Sequence, residues 1–221
     1  MNVCIGVLHT VTFLADMFRS LIKEHLPNVD QFHVVDEGII RLLLDNGQLN
    51  PKISRRILWQ ALQVQDVGAN LILFTCSSTS PAVDDLKKLI NVPIMKVDEA
   101  MANYAVECGE RIGVVVTSHP TLQPSINLIH SVAREKGKKV EVQSILETEA
   151  FSAKLRGDTD KHDQLVKDAV RRLSAKNDVV VLAQASMAHL TEALSGESPV
   201  PIVSSPKHCI EALKKEVNKL I

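Results

Sequence analysis

The feature that most constrains this chain is an internal repeat. Ile5-Gly6-Val7-x-x-Thr10 reappears as Ile112-Gly113-Val114-x-x-Thr117, an offset of 107 residues counted from 5 to 112. Leu71-Ile72-Leu73-Phe74-Thr75-Cys76-Ser77-Ser78 lines up with Val179-Val180-Val181-Leu182-Ala183-Gln184-Ala185-Ser186 at an offset of 108, counted from 71 to 179. Val92-Pro93-Ile94 and Val200-Pro201-Ile202 keep the same spacing. A period this long excludes a short-repeat solenoid, and two copies nearly fill the 221 residues. Within each copy, short apolar β-branched runs alternate with longer amphipathic ones, the pattern of strands alternating with helices. Strands are predicted at 3–8, 32–35, 71–74 and 93–97, and again at 112–116, 140–145, 179–182 and 201–203. Helices are predicted at 55–67, 82–90, 98–107 and 209–220. Strands apolar on both faces and joined by helices imply parallel sheets. The expected fold is α/β: two pseudo-twofold-related lobes, each a parallel four-stranded sheet flanked by helices, with the site in the cleft between them. One lobe is expected over 1–97 plus 207–221 and the other over 98–206. The run 98–107 is placed at the lobe junction or a subunit contact, and 209–220 is a docking helix with Ile210, Leu213, Val217 and Leu220 on one face.

Composition then removes whole classes of function. With 25 Lys+Arg against 26 Asp+Glu and 3% aromatic residues, the chain has neither a basic field for phosphates nor a stacking platform for bases. No nucleic-acid partner is expected. No run approaches the roughly 18 apolar residues of a membrane span, so no membrane partner is expected either. The start, Met1-Asn2-Val3-Cys4-Ile5-Gly6, does not read as a signal peptide. The cysteines at 4, 76, 108 and 209 form no CxxC pair and no zinc spacing. A reduced, cytoplasmic protein follows as the expectation, with no metal.

In open α/β sheets, ligands sit beyond the carboxyl ends of the strands. Here those ends carry Thr10, Cys76, Thr117 and Gln184. Cys76 ends an apolar strand and precedes Ser77-Ser78-Thr79-Ser80-Pro81, small hydroxyl residues and a proline suited to a first helical turn. Backbone N–H groups and the helix dipole at such a place favour a thiolate and also hold a carboxylate. The bland alternative is an inert buried cysteine, which is how Cys4, Cys108 and Cys209 are read from their strand and helix settings. In the partner stretch, the backbone near Ala185 and Ser186 offers a second anion site, and Ser186 equally suits an N-cap. Thr10, Thr117 and Thr121 are candidates to contact a ligand carboxylate, whereas His9 and His119 read as loop residues. A cysteine phosphatase loop would need an arginine where Ala82 stands, and neither a P-loop nor GxGxxG is present. No nucleotide cofactor is indicated.

At these residues the sequence resembles the aspartate/glutamate/hydantoin racemase superfamily. The resemblance rests on the duplicated halves, the Cys76-Ser77-Ser78-Thr79 turn, the matching turn at Gln184, Thr117-x-x-x-Thr121 and Val203-Ser204-Ser205-Pro206. It implies a cofactor-independent enzyme acting on a small carboxylate, and a homo-oligomer. It further implies two thiols flanking the substrate α-carbon, one removing a proton and the other returning it. This chain departs at the decisive place, because the repeat partner of Cys76 is Gln184. An amide has no proton to exchange near neutral pH. The expectation is therefore a one-sided site: Cys76 transfers a proton or adds to an unsaturated acid, and Gln184 hydrogen-bonds substrate or oxyanion. Ser77, Ser78, Thr79, Ala185 and Ser186 join the threonines as substrate-binding candidates. The alternatives are a decarboxylase or lyase of the same family, or a non-catalytic small-molecule binding protein.

Overall fold

The computed structural model describes residues 3–221. Met1 and Asn2, the start of the segment read for a signal peptide and of the first expected lobe, lie outside the described residues. The chain divides into two compact units, Met1–Val97 with Pro206–Ile221 and Asp98–Ser205.

The first unit runs β1 (Cys4–His9), α1 (Thr12–His25), β2 (Asp30–Val35), α2 (Glu37–Asn46), α3 (Pro51–Asp66) and β3 (Leu71–Phe74). A 3₁₀ turn over Ser77–Thr79 then leads into α4 (Ser80–Leu86) and β4 (Ile94–Lys96). The second unit repeats the plan with α5 (Glu99–Cys108), β5 (Arg111–Val116), α6 (His119–Glu135), β6 (Glu141–Leu146), α7 (Thr148–Leu155), α8 (Thr159–Ser174) and β7 (Val179–Leu182). A 3₁₀ turn over Ala185–Leu190, α9 (Thr191–Glu197) and β8 (Ile202–Ser204) complete it. The final helix α10 (Ser205–Asn218) returns to the first unit. Each sheet has four parallel strands, in the orders β2-β1-β3-β4 and β6-β5-β7-β8.

The inner strands β1, β3, β5 and β7 are buried on both faces, which is why they read as apolar runs, whereas the edge strands β2 and β6 are half-buried or exposed and carry polar residues. Leu71 and Leu73 of β3 face Phe18 and Ile22 of α1 and Cys209, Leu213 and Val217 of α10. Ile72 and Phe74 face the other way, into a core with Ile39, Leu43, Ile53, Ile57 and Val83. The second unit copies this division. Val179 and Val181 pack with Met101, Ala105, Ile129 and Val132, while Val180 and Leu182 pack with Val166, Val170, Leu173 and Met187. The run 98–107 is thus a core helix of the second unit, with Met101, Ala102, Ala105 and Val106 buried. Each copy of the repeat hands its last helix to the unit whose strands it does not supply. The helix after β4 packs on the second sheet, and the helix after β8 packs on the first.

The eight predicted strands are all present; 71–74 and 179–182 coincide with β3 and β7, and the other six shift by a residue or two at their ends. Helix ends moved more. The helix predicted at 55–67 begins at Pro51, where Asn50 accepts the Ile53 N–H at 3.0 Å and proline occupies the first turn. The helix predicted at 82–90 stops at Leu86. The helix predicted at 209–220 starts at Ser205 and stops at Asn218.

Candidate active site

The order β2-β1-β3-β4 puts the ends of β1 and β3 side by side, because Leu8 pairs with Phe74. Thr10 therefore lies next to Cys76, and its hydroxyl donates to the cysteine sulfur. Cys76 caps the 3₁₀ turn Ser77–Thr79, whose start aims further donors at the same atom: the Ser78 N–H and hydroxyl and the Thr79 N–H. Thr79 is held in place by its hydroxyl, which donates to the Cys76 carbonyl at 2.7 Å. Burial pushes the Cys76 thiol above its ordinary value, and the donors from Thr10, Ser78 and Thr79 pull it back only in part. The thiolate favoured by the local pattern is thus not the resting form, because desolvation outweighs the donors. The donors remain ready to receive the charge once the proton leaves. Ser77, Ser78 and Thr79 are all buried around this atom. A cavity of about 10 Å³, at the lower limit for one water, is lined by Cys76, Thr10, Thr79, His9 and Gln60.

The second unit carries the repeat-related pair. Thr117 follows β5 and Gln184 follows β7, and Val115 pairs with Leu182. The Gln184 side-chain oxygen accepts the Thr117 N–H at 2.6 Å and its hydroxyl at 2.9 Å. In both units a strand-end threonine thus donates its hydroxyl to the residue closing the neighbouring strand. In the first unit the acceptor is a thiol that a proton can leave, and in the second it is a neutral amide. Both Thr117 donors are committed to Gln184, so a carboxylate reaching Thr117 must displace that oxygen. The Gln184 amide nitrogen keeps its two N–H groups for a ligand. Thr121 is buried in the first turn of α6, Ala185 is buried, and Ser186 is half-buried with its carbonyl facing His189. Ser118 and Ser205, at the ends of β5 and β8, carry buried hydroxyls with no partner among the described residues. Hydroxyls left so await an acceptor.

His9, expected in a loop, ends β1 instead and is 1% exposed. Its Nδ1 lies 2.8 Å from Thr75 Oγ1 and its Nε2 2.8 Å from His33 Nδ1, while His33 Nε2 lies 2.9 Å from Gln31 Oε1. The Thr75 hydroxyl also faces the Leu8 carbonyl, to which it donates at 3.0 Å, and at the far end the Gln31 nitrogen donates to the Arg19 carbonyl at 3.3 Å, so the two rings sit in a polar chain anchored at both ends. Burial, then the neighbouring His33 and Arg19, holds His9 down at about 3. Burial and then Arg19 hold His33 at about 4. Neither His33 nor Gln60 announces itself in sequence. What singles them out is the pairing Val7↔His33 between β1 and β2 and the cavity beside Cys76.

These two paired strand ends are matched by a family. The Asp/Glu/Hydantoin racemase model covers residues 5–213, and the chain belongs to that family. Solved racemases share the fold. A glutamate racemase from Francisella tularensis, in complex with D-glutamate, superposes with a TM-score of 0.77 at 16% identity, over 100% of this chain and 83% of that one. An allantoin racemase from Klebsiella pneumoniae gives 0.73 at 16%, over 100% and 89%. An aspartate racemase from Picrophilus torridus gives 0.73 at 12%, over 98% and 95%. No helix among the described residues is long and apolar enough to cross a membrane.

Proposed function

We propose that this chain is a cofactor-independent racemase-family enzyme that moves a proton on a small carboxylate through one cysteine, Cys76. The observation that carries the reading is the ring of donors around the Cys76 sulfur, set against a neutral amide at the repeat-related position. As base, the Cys76 thiolate takes the α-hydrogen, and the C–H electron pair passes into the adjoining carbonyl as an enolate. As acid, the thiol returns a proton to the same carbon. The donors from Thr10, Ser78 and Thr79 stabilise the thiolate formed when the proton leaves. Gln184 donates its amide N–H to a carboxylate or enolate oxygen and exchanges no proton itself. A single acid–base group exchanges the α-hydrogen on one face, without inversion.

One observation favours a second reading. A thiol held protonated by burial is set to deliver a proton first, as required when loss of CO2 from a malonate-type acid leaves an enediolate. The test is incubation in D2O with aspartate, glutamate, hydantoins, malonates and maleate, followed by NMR beside Cys76→Ala. One-sided deuterium incorporation that vanishes in Cys76→Ala is the expected result. Release of CO2 with one-sided deuteration establishes the decarboxylase. Racemisation, or activity surviving in Cys76→Ala, overturns the one-cysteine mechanism. Binding of these acids without any turnover makes the chain a small-molecule binding protein.

A further inference from the structure

A second cluster of chemically active side chains lies in the second unit, outside the strand-end residues. His162 and Asp163 occupy the early turns of α8, and His189 occupies the 3₁₀ turn that follows Gln184. His162 Nδ1 lies 2.7 Å from Asp163 Oδ1, and His189 Nε2 lies 2.9 and 3.0 Å from the two Asp163 oxygens. The three ligand-type atoms fall within 4.8 Å of one another.

Hydrogen-bond bookkeeping shows what this arrangement lacks. His189 Nδ1 faces the Ser186 carbonyl at 3.1 Å and its Nε2 faces the Asp163 carboxylate, so both ring nitrogens meet acceptors. A neutral imidazole has one N–H and can serve only one of them. A positive charge, as a second ring proton or a metal ion at Nε2, serves both. His162 is 1% exposed, and Nδ1 toward Asp163 is its only polar contact among the described residues, so that nitrogen is aimed at the same carboxylate as His189 Nε2.

We infer that His162 Nδ1, one Asp163 oxygen and His189 Nε2 form a site for a divalent transition metal of the zinc type. Two imidazoles and a carboxylate are a zinc-type donor set. Tetrahedral bonds of about 2.0–2.1 Å need ligand atoms about 3.3 Å apart, so the contacts to Asp163, now 2.7 and 2.9 Å, would open by about 0.4–0.6 Å, and the two ring nitrogens, which lie within 4.8 Å, would adjust to the same spacing. The Ser186 carbonyl is the outer partner that fixes the His189 tautomer for metal binding. His189 is 44% exposed, which gives the ion an entry path and leaves a fourth position to water. The bound ion would fasten the turn Ala185–Leu190 to α8. Cysteine spacing does not reveal such a site, because it contains no cysteine and its parts lie in different elements.

The experiment is calorimetric titration of chelator-stripped protein with zinc chloride, repeated with cobalt chloride to read the visible absorption of a tetrahedral ion. The wild-type chain and Cys76→Ser are expected to bind one equivalent, saturated by about 100 µM metal, with a rise in Tm. His189→Ala, at an exposed position that the fold tolerates, and Asp163→Asn are expected to bind at least about 10-fold more weakly. Their Tm should not respond to metal. Circular dichroism of the stripped variants checks that they are folded. Absence of stoichiometric binding in the wild type, or equal binding in His189→Ala, overturns the site; so does loss of binding in Cys76→Ser.

Discussion

His9 and His33 stack at 5.1 Å between ring centroids inside the first unit, and both are kept neutral there. Once the chain unfolds, each ring returns to its ordinary value of 6.5 and takes up a proton below it. The unfolded state then binds protons that the folded state refuses, so stability falls as pH drops from 6.5, down to about 4 for His33 and about 3 for His9. For the buried His9 the slope is at most about 1.4 kcal/mol per pH unit. Urea unfolding at pH 6.5 and pH 5.0 should show the wild type losing up to about 1.5 kcal/mol more than His9→Asn over that interval. An unchanged difference in the variant would mean that His9 is not held neutral. Cys76 and Gln184 were legible at this scale because the repeat marks both positions. The histidine pair was not, since partners 24 residues apart meet only when β1 and β2 align. The sign of the Cys76 shift was illegible for a related reason. Donors can be read from Ser78 and Thr79, but desolvation depends on the whole surround.

At the scale of elements, the repeated Ile-Gly-Val carries a packing rule. A Cβ on Gly6 would overlap Val64 of α3 and come within 3.2 Å of Ala69. A Cβ on Gly113 would come within 3.0 Å of Leu173 of α8. In both units the glycine lets the helix before the third strand cross closely over the first strand. Gly6→Ala should cost about 1–3 kcal/mol in chemical denaturation. Gly113→Ala should cost less, since its nearest neighbour is 3.0 Å away where Val64 overlaps a Cβ on Gly6. Equal costs would show that the two crossings are not graded as the distances say. The strands were legible as apolar β-branched runs, and their parallel direction followed from burial on both faces, but their order in the sheets did not. The start of α3 at Pro51 was not read from the sequence, because the apolar periodicity that defined 55–67 begins later. The early end of α4 left no mark, because Lys87 and Lys88 fit a helix as well as a turn.

Taken whole, the molecule completes one hydrophobic core from two distant stretches of chain. Leu213 is fully buried against β1, β3 and α1, together with Ile210 and Val217. Leu213→Ala should therefore destabilise the protein by about 2–5 kcal/mol, as read from urea unfolding. A cost below about 1 kcal/mol would mean that α10 only rests on the first unit. The apolar stripe of this helix was legible in sequence. Its exchange for α5 between the two halves was not, because a stripe names a buried face and not the sheet that buries it.

That exchange sets an order on how the chain can fold as it is made. The strands of the first unit leave the ribosome early, yet the face of their sheet that needs Cys209, Leu213 and Val217 stays open until translation has passed the whole of Asp98–Ser205. The second unit is continuous in sequence and has every residue of its core before α10 exists. Synthesis thus reverses the usual sequence of events, in which the earlier domain folds first. The half made second is the first that can finish, while the half made first waits with one apolar face in need of protection.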